Sequence, residues 1–172
     1  MQQVKTFRAH SRSIHSLDVH PSKPYVLSAS YNDRTVEMWN WEMDWECVRT
    51  FDVAAREVKF NPKDADYFAC PTGYGVEVWN IASSGSDDLT FSFGSSNVYS
   101  IDYLSRGDEL YLINGDKYGS VEIWDWQNRS CLKTLKEHTD FVNNICAPPN
   151  LPLFITISCD GTVCLWNSST FE

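Results

Sequence analysis

The chain has 172 residues and a formal net charge of -9, and this length is enough to bury the core of one domain. The negative charge, with no compensating cluster of lysine or arginine, makes nucleic acid and anionic membrane surfaces poor partners. Aromatic residues make up 14% of the chain, including seven Trp, and occur with short runs of Val, Ile, Thr and Tyr. This composition favours strands over helices and predicts an all-β protein.

The cysteines and the N-terminus indicate the compartment. The six cysteines contain no CxxC pair, which predicts reduced thiols in the core rather than metal ligands or disulfides. The first seven residues lack the apolar stretch of a secretory signal, and the chain has no run of about 18 apolar residues. We therefore expect a cytosolic protein without a metal, a cofactor or direct membrane insertion.

Four tryptophans recur in near-identical settings, each preceded by an apolar residue and followed by Asn or Asp: Glu-Met-Trp-Asn, Glu-Val-Trp-Asn, Glu-Ile-Trp-Asp and Cys-Leu-Trp-Asn. They are Trp39, Trp79, Trp124 and Trp166, at spacings of 40, 45 and 42 residues. Four-stranded propeller blades repeat at roughly 40–45 residues, whereas helical repeats show a 3.6-residue period that is missing here. The pattern predicts a single propeller segment of four blades. The predicted blades span residues 8–51, 52–93, 94–135 and 136–172.

Each of these tryptophans ends a short strand that follows a turn containing Gly, Asp or Asn. The strands predicted in the first repeat are residues 14–19, 25–30, 35–40 and 47–51. Those predicted in the last repeat are residues 141–147, 153–158 and 162–167. Prolines separate the first two strands in both repeats, as expected for residues that a central ladder excludes.

A histidine stands at a matching distance before the first and the last tryptophan. His10 precedes Trp39 by 29 residues, and His138 precedes Trp166 by 28. This arrangement resembles the WD-repeat family, in which a His, a Ser or Thr on the second strand, an Asp in the tight turn and the Trp form a buried hydrogen-bonded tetrad. The matching residues are His10, Ser28, Asp33 and Trp39, and then His138, Thr156, Asp160 and Trp166.

A His and an Asp could orient a general base, but the tetrad places no nucleophile for attack. We interpret it as structural and expect no enzyme activity. The two middle repeats lack these groups, since the positions six before Trp79 and Trp124 hold Gly73 and Tyr118. Each lost hydrogen bond forfeits about 1 kcal/mol, so the central blades are expected to be softer unless repacked.

Longer phrases resemble the N-terminal propeller of the beta-prime subunits of coatomer, the coat of Golgi vesicles. One of them is the run Ile-Trp-Asp-Trp-Gln-Asn at residues 123–128. The others, in the same order as in that family, are residues 20–28, 61–64, 101–103 and 165–170. The resemblance covers nearly the whole chain. It implies a cytoplasmic protein in transport between Golgi and endoplasmic reticulum, held peripherally on Golgi or vesicle membranes through coat partners.

The resemblance also implies protein partners, either other coatomer subunits or the tails of cargo proteins. In the family, acidic side chains on the top face of the propeller recognise dilysine signals. This chain has Arg12 where the family has an Asp, and Tyr31 or Asn32 takes the place of a second acid, while Asp140 is the candidate acid retained on that face. Because a cation at Arg12 would repel lysine, we expect dilysine binding to be weak or lost.

The strand count allows two arrangements of the blades. Val4 to Phe7 resemble the outer strand of a preceding blade, and this strand could complete the last blade and close a four-bladed ring. The family closes with seven blades, so we favour an open arc that leaves two apolar blade faces uncovered. An open arc predicts stabilisation by a partner or by a homodimer through these faces, or else a chain that is unstable alone.

Two further interpretations stay open at this stage. The chain could be a WD-repeat adaptor outside trafficking, such as a substrate receptor of a ubiquitin ligase, with the same fold and a different top face. It could also be a residual, truncated copy of a longer gene. An enzymatic propeller would need converging carboxylates or a metal cluster, and the sequence has no His, Asp and Glu spacing of that kind.

Overall fold

A computed structural model of the chain describes residues 5–82 and 89–172. Within these residues, fifteen strands form four antiparallel sheets that follow one another in chain order. The helical structure in the described part is one short 3-10 turn at Trp41–Met43. No helix among the described residues is long and apolar enough to cross a membrane. The all-β prediction is confirmed for the described residues.

Each sheet is a blade whose strands lie in sequence order. Blade 1 contains β1 (Ser16–Val19), β2 (Tyr25–Ser30), β3 (Thr35–Asn40) and β4 (Glu46–Phe51). Blade 2 contains β5 (Lys59–Phe60), β6 (Tyr67–Thr72), β7 (Gly75–Asn80) and β8 (Leu89–Phe93). Blade 3 contains β9 (Val98–Arg106), β10 (Glu109–Asp116), β11 (Val121–Asp125) and β12 (Ser130–Leu135). Blade 4 contains β13 (Val142–Cys146), β14 (Leu153–Ser158) and β15 (Val163–Asn167).

The first strands of the blades lie on the inside of the arc. β1 contacts β5, β5 contacts β9, and β9 contacts β13. Carboxylates on these inner strands join neighbouring blades. Asp18 Oδ2 accepts the N–H of Phe60 at 2.7 Å, and Asp102 Oδ2 accepts the N–H of Ala147 at 2.8 Å. Blades 1 and 3 therefore use the same inner-strand position to bind the next blade.

Apolar side chains fill each junction between blades. Leu27, Val36 and Met38 of blade 1 pack in one cluster with Val58 and Phe60 of blade 2, and two similar clusters form the junctions of blades 2 with 3 and of blades 3 with 4. Burial of this apolar surface is the main favourable term in folding. The core of the protein is thus a row of junctions rather than one central cluster.

The outward face of blade 4 is uncovered. Leu165 directly precedes Trp166, as Met38 directly precedes Trp39 in blade 1. Met38 is 5% exposed because blade 2 covers it, whereas Leu165 is 65% exposed. Val163 shares that exposure, at 60%. Nothing among the described residues covers this face.

The opposite end of the arc is uncovered in the same way. On β1, Leu17 lies opposite Ser28 and Val19 lies opposite Val26. Both side chains are exposed, although the matching residues of blade 2, Val58 and Phe60, are buried. The described residues therefore form an open arc with an apolar blade face at each end, as predicted, and not a closed four-bladed ring.

The N-terminal segment differs from the prediction. Val4 lies outside the described residues, and Lys5 to Phe7 form no strand. The Phe7 ring instead packs on Trp39, with 5.0 Å between the ring centroids, and Lys5 Nζ pairs with Asp44 Oδ1 at 2.5 Å. The apolar Phe7 side chain gains more from covering the Trp39 ring than from an isolated outer strand.

The cysteines are free, but the prediction that they lie in the core is wrong for most of them. Cys70 is buried and Cys164 is half-buried. The other four, on β4, β12, β13 and the turn after β14, are exposed: Cys47, Cys131, Cys146 and Cys159. An apolar run does not decide this, because alternate residues of a strand point to opposite faces.

Candidate protein-binding face

The four predicted residues of the first tetrad lie together in blade 1. Trp39 Nε1 donates to Ser28 Oγ at 2.9 Å, and His10 Nε2 lies 2.7 Å from the same oxygen. His10 Nδ1 faces Asp33 Oδ2 at 3.5 Å. These contacts place a proton on Nδ1 of His10, facing Asp33, and let the Ser28 hydroxyl donate to Nε2 of His10. Each polar group of the tetrad then has a hydrogen-bond partner.

Asp33 also holds the segment that precedes the inner strand. Its carboxylate accepts the Ser11 hydroxyl at 2.5 Å and the backbone N–H groups of Ser11 and Arg12 at 2.8 and 3.1 Å. The Ser11 hydroxyl, followed by these N–H groups, lowers the pKa of Asp33. The residue therefore stays ionised and ties the turn after β2 to the N-terminal segment.

Blade 4 repeats this arrangement, with a threonine hydroxyl closer to the histidine than the 3.4 Å between Thr35 Oγ1 and His10 Nδ1 in blade 1. Trp166 Nε1 donates to Thr156 Oγ1 at 2.9 Å, and His138 Nε2 lies 2.7 Å from that oxygen. His138 Nδ1 lies 2.7 Å from Thr162 Oγ1, which donates to Asp160 Oδ1 at 2.5 Å. The Thr162 hydroxyl thus lies between the imidazole and the carboxylate, and it lowers the pKa of Asp160.

Blade 3 has a substitute network that the His and Asp pattern does not predict. Glu122 Oε2 accepts from Trp124 Nε1 at 3.3 Å, from Asn114 Nδ2 at 3.2 Å and from the backbone N–H of Ser95 at 3.2 Å. One carboxylate therefore satisfies the tryptophan in place of a serine hydroxyl. The signal was present in the sequence, because a Glu stands two residues before the tryptophan in the first three repeats.

In blade 2, Glu77 and the Cys70 thiol lie near the Trp79 indole. Burial raises the pKa of each and the indole opposes that rise, but neither group forms a hydrogen bond of good geometry with it. Cys70 occupies the position that Ser28 and Thr156 hold in blades 1 and 4, and its buried thiol carries a raised pKa because of burial. The buried Trp79 Nε1 has no hydrogen-bond partner in the described part of the chain. Blade 2 is the blade in which the loss of polar groups predicted from the sequence leaves a donor unpaired.

The turns between the second and third strands and the connections between blades lie on one side of the arc, which we call the top face. Two candidate residues sit there without forming a site. The Arg12 side chain is exposed, while its backbone N–H is bound to Asp33. Asp140 is exposed and accepts the N–H of Phe141 at 2.8 Å.

Tyr31 and Asn32, the other two candidates, come together in one cleft. The cleft has a volume of 690 Å³ and lies between the turns of blades 1 and 2. Arg34, Asp52 and Tyr74 also line it, and Tyr74 is 90% exposed. The residues that take the place of the second acid of the family pattern thus line a polar and aromatic cleft, whereas Arg12, in place of the first acid, does not line it.

A ring of residues at the inner edge of the top face was not predicted. In each blade, one inner-strand residue pairs with the second-strand position that Ser28 holds in blade 1. The ring residue stands two positions before that inner-strand residue. The four ring residues are His15, Arg56, Tyr99 and Asn143. They line a pocket of 470 Å³ together with Glu57. The equivalent position in each repeat is readable from the sequence once the strand register is known.

Glu57 lies below this ring, among charges on the inner strands. Its Oε2 accepts the N–H of Ile101 at 2.9 Å, and its Oε1 lies 4.0 Å from Lys59 Nζ. Burial raises the pKa of Glu57 to about 7, and the charges of Asp102 and Asp18 act in the same direction, while the Ile101 N–H and Lys59 oppose them. The carboxyl group is therefore about half protonated near neutral pH.

This raised pKa predicts a pH-dependent stability. Because the folded state holds the proton more tightly than the unfolded chain, the free energy of unfolding falls as pH rises from about 4.5 to about 7. Glu57→Gln keeps an acceptor for the Ile101 N–H and removes the charge. We expect it to flatten this slope and to stabilise the protein at pH 8 by about 3 kcal/mol at most.

Urea unfolding measured from pH 5 to pH 8 checks this expectation. Glu137→Gln, which removes an exposed carboxylate on the top face, is the matched control. Its free energy of unfolding should depend on pH as that of the parent protein does. Half-buried Asp102, whose pKa is also raised by burial, accounts for a residual slope. A Glu57→Gln protein that keeps the full slope of the parent would contradict the assignment.

The comparisons with known proteins agree with the repeat pattern. The family model for the WD domain, G-beta repeat, matches residues 1–40 and 129–167. These are the parts of the chain that contain the His10 and His138 tetrads. Blade 2 and the first three strands of blade 3 fall outside the matched residues.

Curated relatives include coatomer subunits from plants and fungi. The chain is 40% identical to coatomer subunit beta'-2 of Arabidopsis thaliana over 66% of its own length and 13% of that protein. It is 35% identical to the probable coatomer subunit beta' of Schizosaccharomyces pombe, over 76% of this chain and 17% of that one. The Arabidopsis transcriptional corepressor LEUNIG_HOMOLOG is 22% identical, over 96% of this chain and 20% of its own length. The chain thus spans a fifth or less of these three relatives.

A solved structure shares the arrangement of the blades. The computationally designed Ika4 protein superposes with a TM-score of 0.73 at 19% sequence identity, covering 96% of this chain and 98% of the designed chain. At that identity the likeness concerns the fold alone.

Proposed function

Starting from a chain built of WD repeats and similar to coatomer beta-prime subunits, we propose that it is a non-enzymatic protein-binding scaffold of a vesicle coat. The observation that carries the proposal is the 40% identity to a coatomer beta-prime subunit. The site geometry agrees with it, because the histidine and aspartate side chains of the tetrads are engaged in hydrogen bonds and ion pairs and two clefts open on the top face. A role in transport between Golgi and endoplasmic reticulum, peripheral on membranes, follows from this proposal.

The open ends of the arc supply the second element of the proposal. Each end exposes an apolar blade face, with Leu165 and Val163 at one end and Leu17 and Val19 at the other. Such faces are junction surfaces in the rest of the chain, so further blades, a coat partner or a second copy of the chain can cover them. Among these, a homodimer is the arrangement available to the isolated chain.

Affinity capture from cytosol, followed by mass spectrometry, tests the coat assignment. The parent chain is expected to recover other coatomer subunits. A variant carrying Leu165→Asp is the control for capture through the open blade face. Recovery of a ubiquitin-ligase core without coat subunits would support an adaptor outside trafficking and would contradict the proposal. The corepressor relative keeps a non-trafficking adaptor as the second candidate.

We expect the chain not to bind dilysine signals. Arg12 is exposed where the family pattern has an acid, so it repels an incoming lysine. In the neighbouring cleft, Arg34 offsets the carboxylates of Asp52 and Glu77. Calorimetry with a dilysine peptide and its scrambled form should give no difference. The double change Arg12→Asp and Asn32→Asp, which restores two acids, should produce binding. Micromolar binding of the dilysine peptide to the parent chain, lost on scrambling, would overturn this expectation.

A further inference from the structure

The guanidinium of Arg56 is held between two aromatic rings at the inner edge of the top face. Its Cζ lies 4.1 Å from the centre of the Tyr31 ring and 5.3 Å from that of Tyr99. Tyr31 belongs to a turn of blade 1 and Tyr99 to β9 of blade 3, while Arg56 precedes β5 of blade 2. Three blades therefore fix the position of one cation.

The hydrogen-bond donors of Arg56 are unpaired. Within residues 5–82 and 89–172, its guanidinium makes no hydrogen bond or ion pair, and its nitrogens are not sealed from solvent. Stacking on aromatic rings occupies the faces of a guanidinium and leaves its edges, where the N–H groups lie, free to bind. A planar fork of donors held in this way matches a carboxylate and can bind it through two parallel hydrogen bonds.

The pocket around Arg56 has the size and chemistry for one acidic side chain within a peptide. Its volume is 470 Å³, and Asn143 and Asn144 stand exposed on the opposite wall. The Asn143 amide already contacts Cys159 Sγ. The Asn144 amide makes no side-chain hydrogen bond within the described residues, so it can donate to and accept from the backbone of an extended peptide. His15 Nδ1 accepts the N–H of Tyr31 at 3.3 Å, which leaves its Nε2 as a further donor in the neutral form.

The Glu57 carboxyl, which also lines the pocket, forms no ion pair with the Arg56 guanidinium among the described residues. The Glu57 carboxyl faces the backbone N–H of Ile101 at 2.9 Å and lies beside Lys59. The Ile101 N–H and Lys59 both belong to inner strands, β9 and β5. Glu57 is therefore engaged with groups below the ring. Because Arg56 has no ion-pair partner among the described residues, its charge is available to a ligand.

We propose that this pocket binds a glutamate or aspartate side chain of an extended peptide segment in a partner protein, with Arg56 as the group that pairs with the carboxylate. The flanking peptide residues lie over Tyr31 into the adjoining 690 Å³ cleft, where Tyr74 is 90% exposed. This inference rests on the proposed protein-binding function and names the chemistry of the partner. Its specificity is the reverse of dilysine recognition.

Fluorescence anisotropy with a labelled ten-residue peptide tests the proposal. The probe carries three consecutive glutamates between Gly and Ser residues, and both ends are blocked so that no terminal carboxylate contributes. The 172-residue chain should bind it, and the same peptide with glutamines or lysines should not. Arg56→Gln should weaken binding about tenfold or more, the loss expected for one charge-assisted pair.

A matched control is present in blade 3. Arg129 stacks on Phe91 with its Cζ 4.1 Å from the ring centre, away from the top face. Arg129→Gln removes one positive charge and one stacked guanidinium, so it should leave peptide binding unchanged. Asn143→Asp adds a negative charge to the opposite wall of the pocket without touching Arg56, and it should weaken binding as well.

The outcomes separate this inference from the proposed function. Equal binding by the parent chain and Arg56→Gln, with Arg129→Gln also equal, would overturn it, as would the absence of binding at millimolar peptide. A preference for a phosphoserine peptide with no binding of the glutamate peptide would overturn it in favour of a phosphate site. Recovery of coat subunits in the affinity capture would stand in each of these cases, because that capture does not require an acidic segment.

Discussion

Met38→Asp is expected to unfold the protein, whereas Leu165→Asp at the equivalent position of blade 4 should leave its stability nearly unchanged. Met38 is 5% exposed in the junction of blades 1 and 2, and an unpaired carboxylate there costs more than about 4 kcal/mol. Leu165 is 65% exposed on an open blade face, so its replacement costs about 1 kcal/mol or less through strand propensity. Urea unfolding of both variants measures the difference.

Association through the open faces would change the measured stability of the chain. The unfolding curves are therefore recorded at a protein concentration at which light scattering shows a monomer. At higher concentration the parent chain is expected to form dimers, and Leu165→Asp is expected to stay monomeric, because the charge would be buried in the contact. Equal losses of stability for Met38→Asp and Leu165→Asp in the monomer would show that blade 4 is covered within the chain.

Thr156→Val is expected to lower the free energy of unfolding by about 2–6 kcal/mol, although the two side chains have nearly the same shape. The Thr156 hydroxyl is the partner of both Trp166 Nε1 and His138 Nε2. Its removal leaves two buried polar groups without a partner, each at a cost of about 1–3 kcal/mol. Thermal and urea unfolding of the variant checks this magnitude.

The reciprocal change in blade 2 is the control for this interpretation. Cys70 stands at the position of Thr156, and Trp79 Nε1 is buried without a partner in the described structure. Cys70→Ser supplies a hydroxyl acceptor at that position, so it should be neutral or stabilising by up to about 1 kcal/mol. Loss of stability in Cys70→Ser comparable to that in Thr156→Val would mean that packing, not hydrogen bonding, decides both positions.

Much of the fold could be predicted from the sequence because the repeat carries its own register. Tyr25–Ser30, Thr35–Asn40 and Leu153–Ser158 have the bounds predicted from alternation and from the position of the tryptophan. Phe7 did not follow its predicted strand, since contact with Trp39 depends on tertiary structure. The exposed cysteines show the same limit, because the face to which a strand residue points depends on pairing.

The site was less predictable than the fold for a physical reason. Tyr31 was singled out as a departure from a family pattern, but its partner Arg56 belongs to another blade and stands 25 residues away. Only the stacking of blades brings the two together with Tyr99. Glu122 shows a different limit: it was visible as a repeated residue, but its role depends on the loss of His and Asp in blade 3.

The most direct test of the open arc is a methyl NOESY spectrum of the monomeric chain with labelled Leu, Val and Ile residues. Cross-peaks are expected across the junction of blades 1 and 2, among the methyl groups of Leu27, Val36 and Val58. The methyl groups of Leu165 and Val163 should show none to Leu17 or Val19. Cross-peaks between these two ends in a monomer, or a pattern in which blades 1 and 2 do not touch, would contradict the stacking of four blades in an open arc.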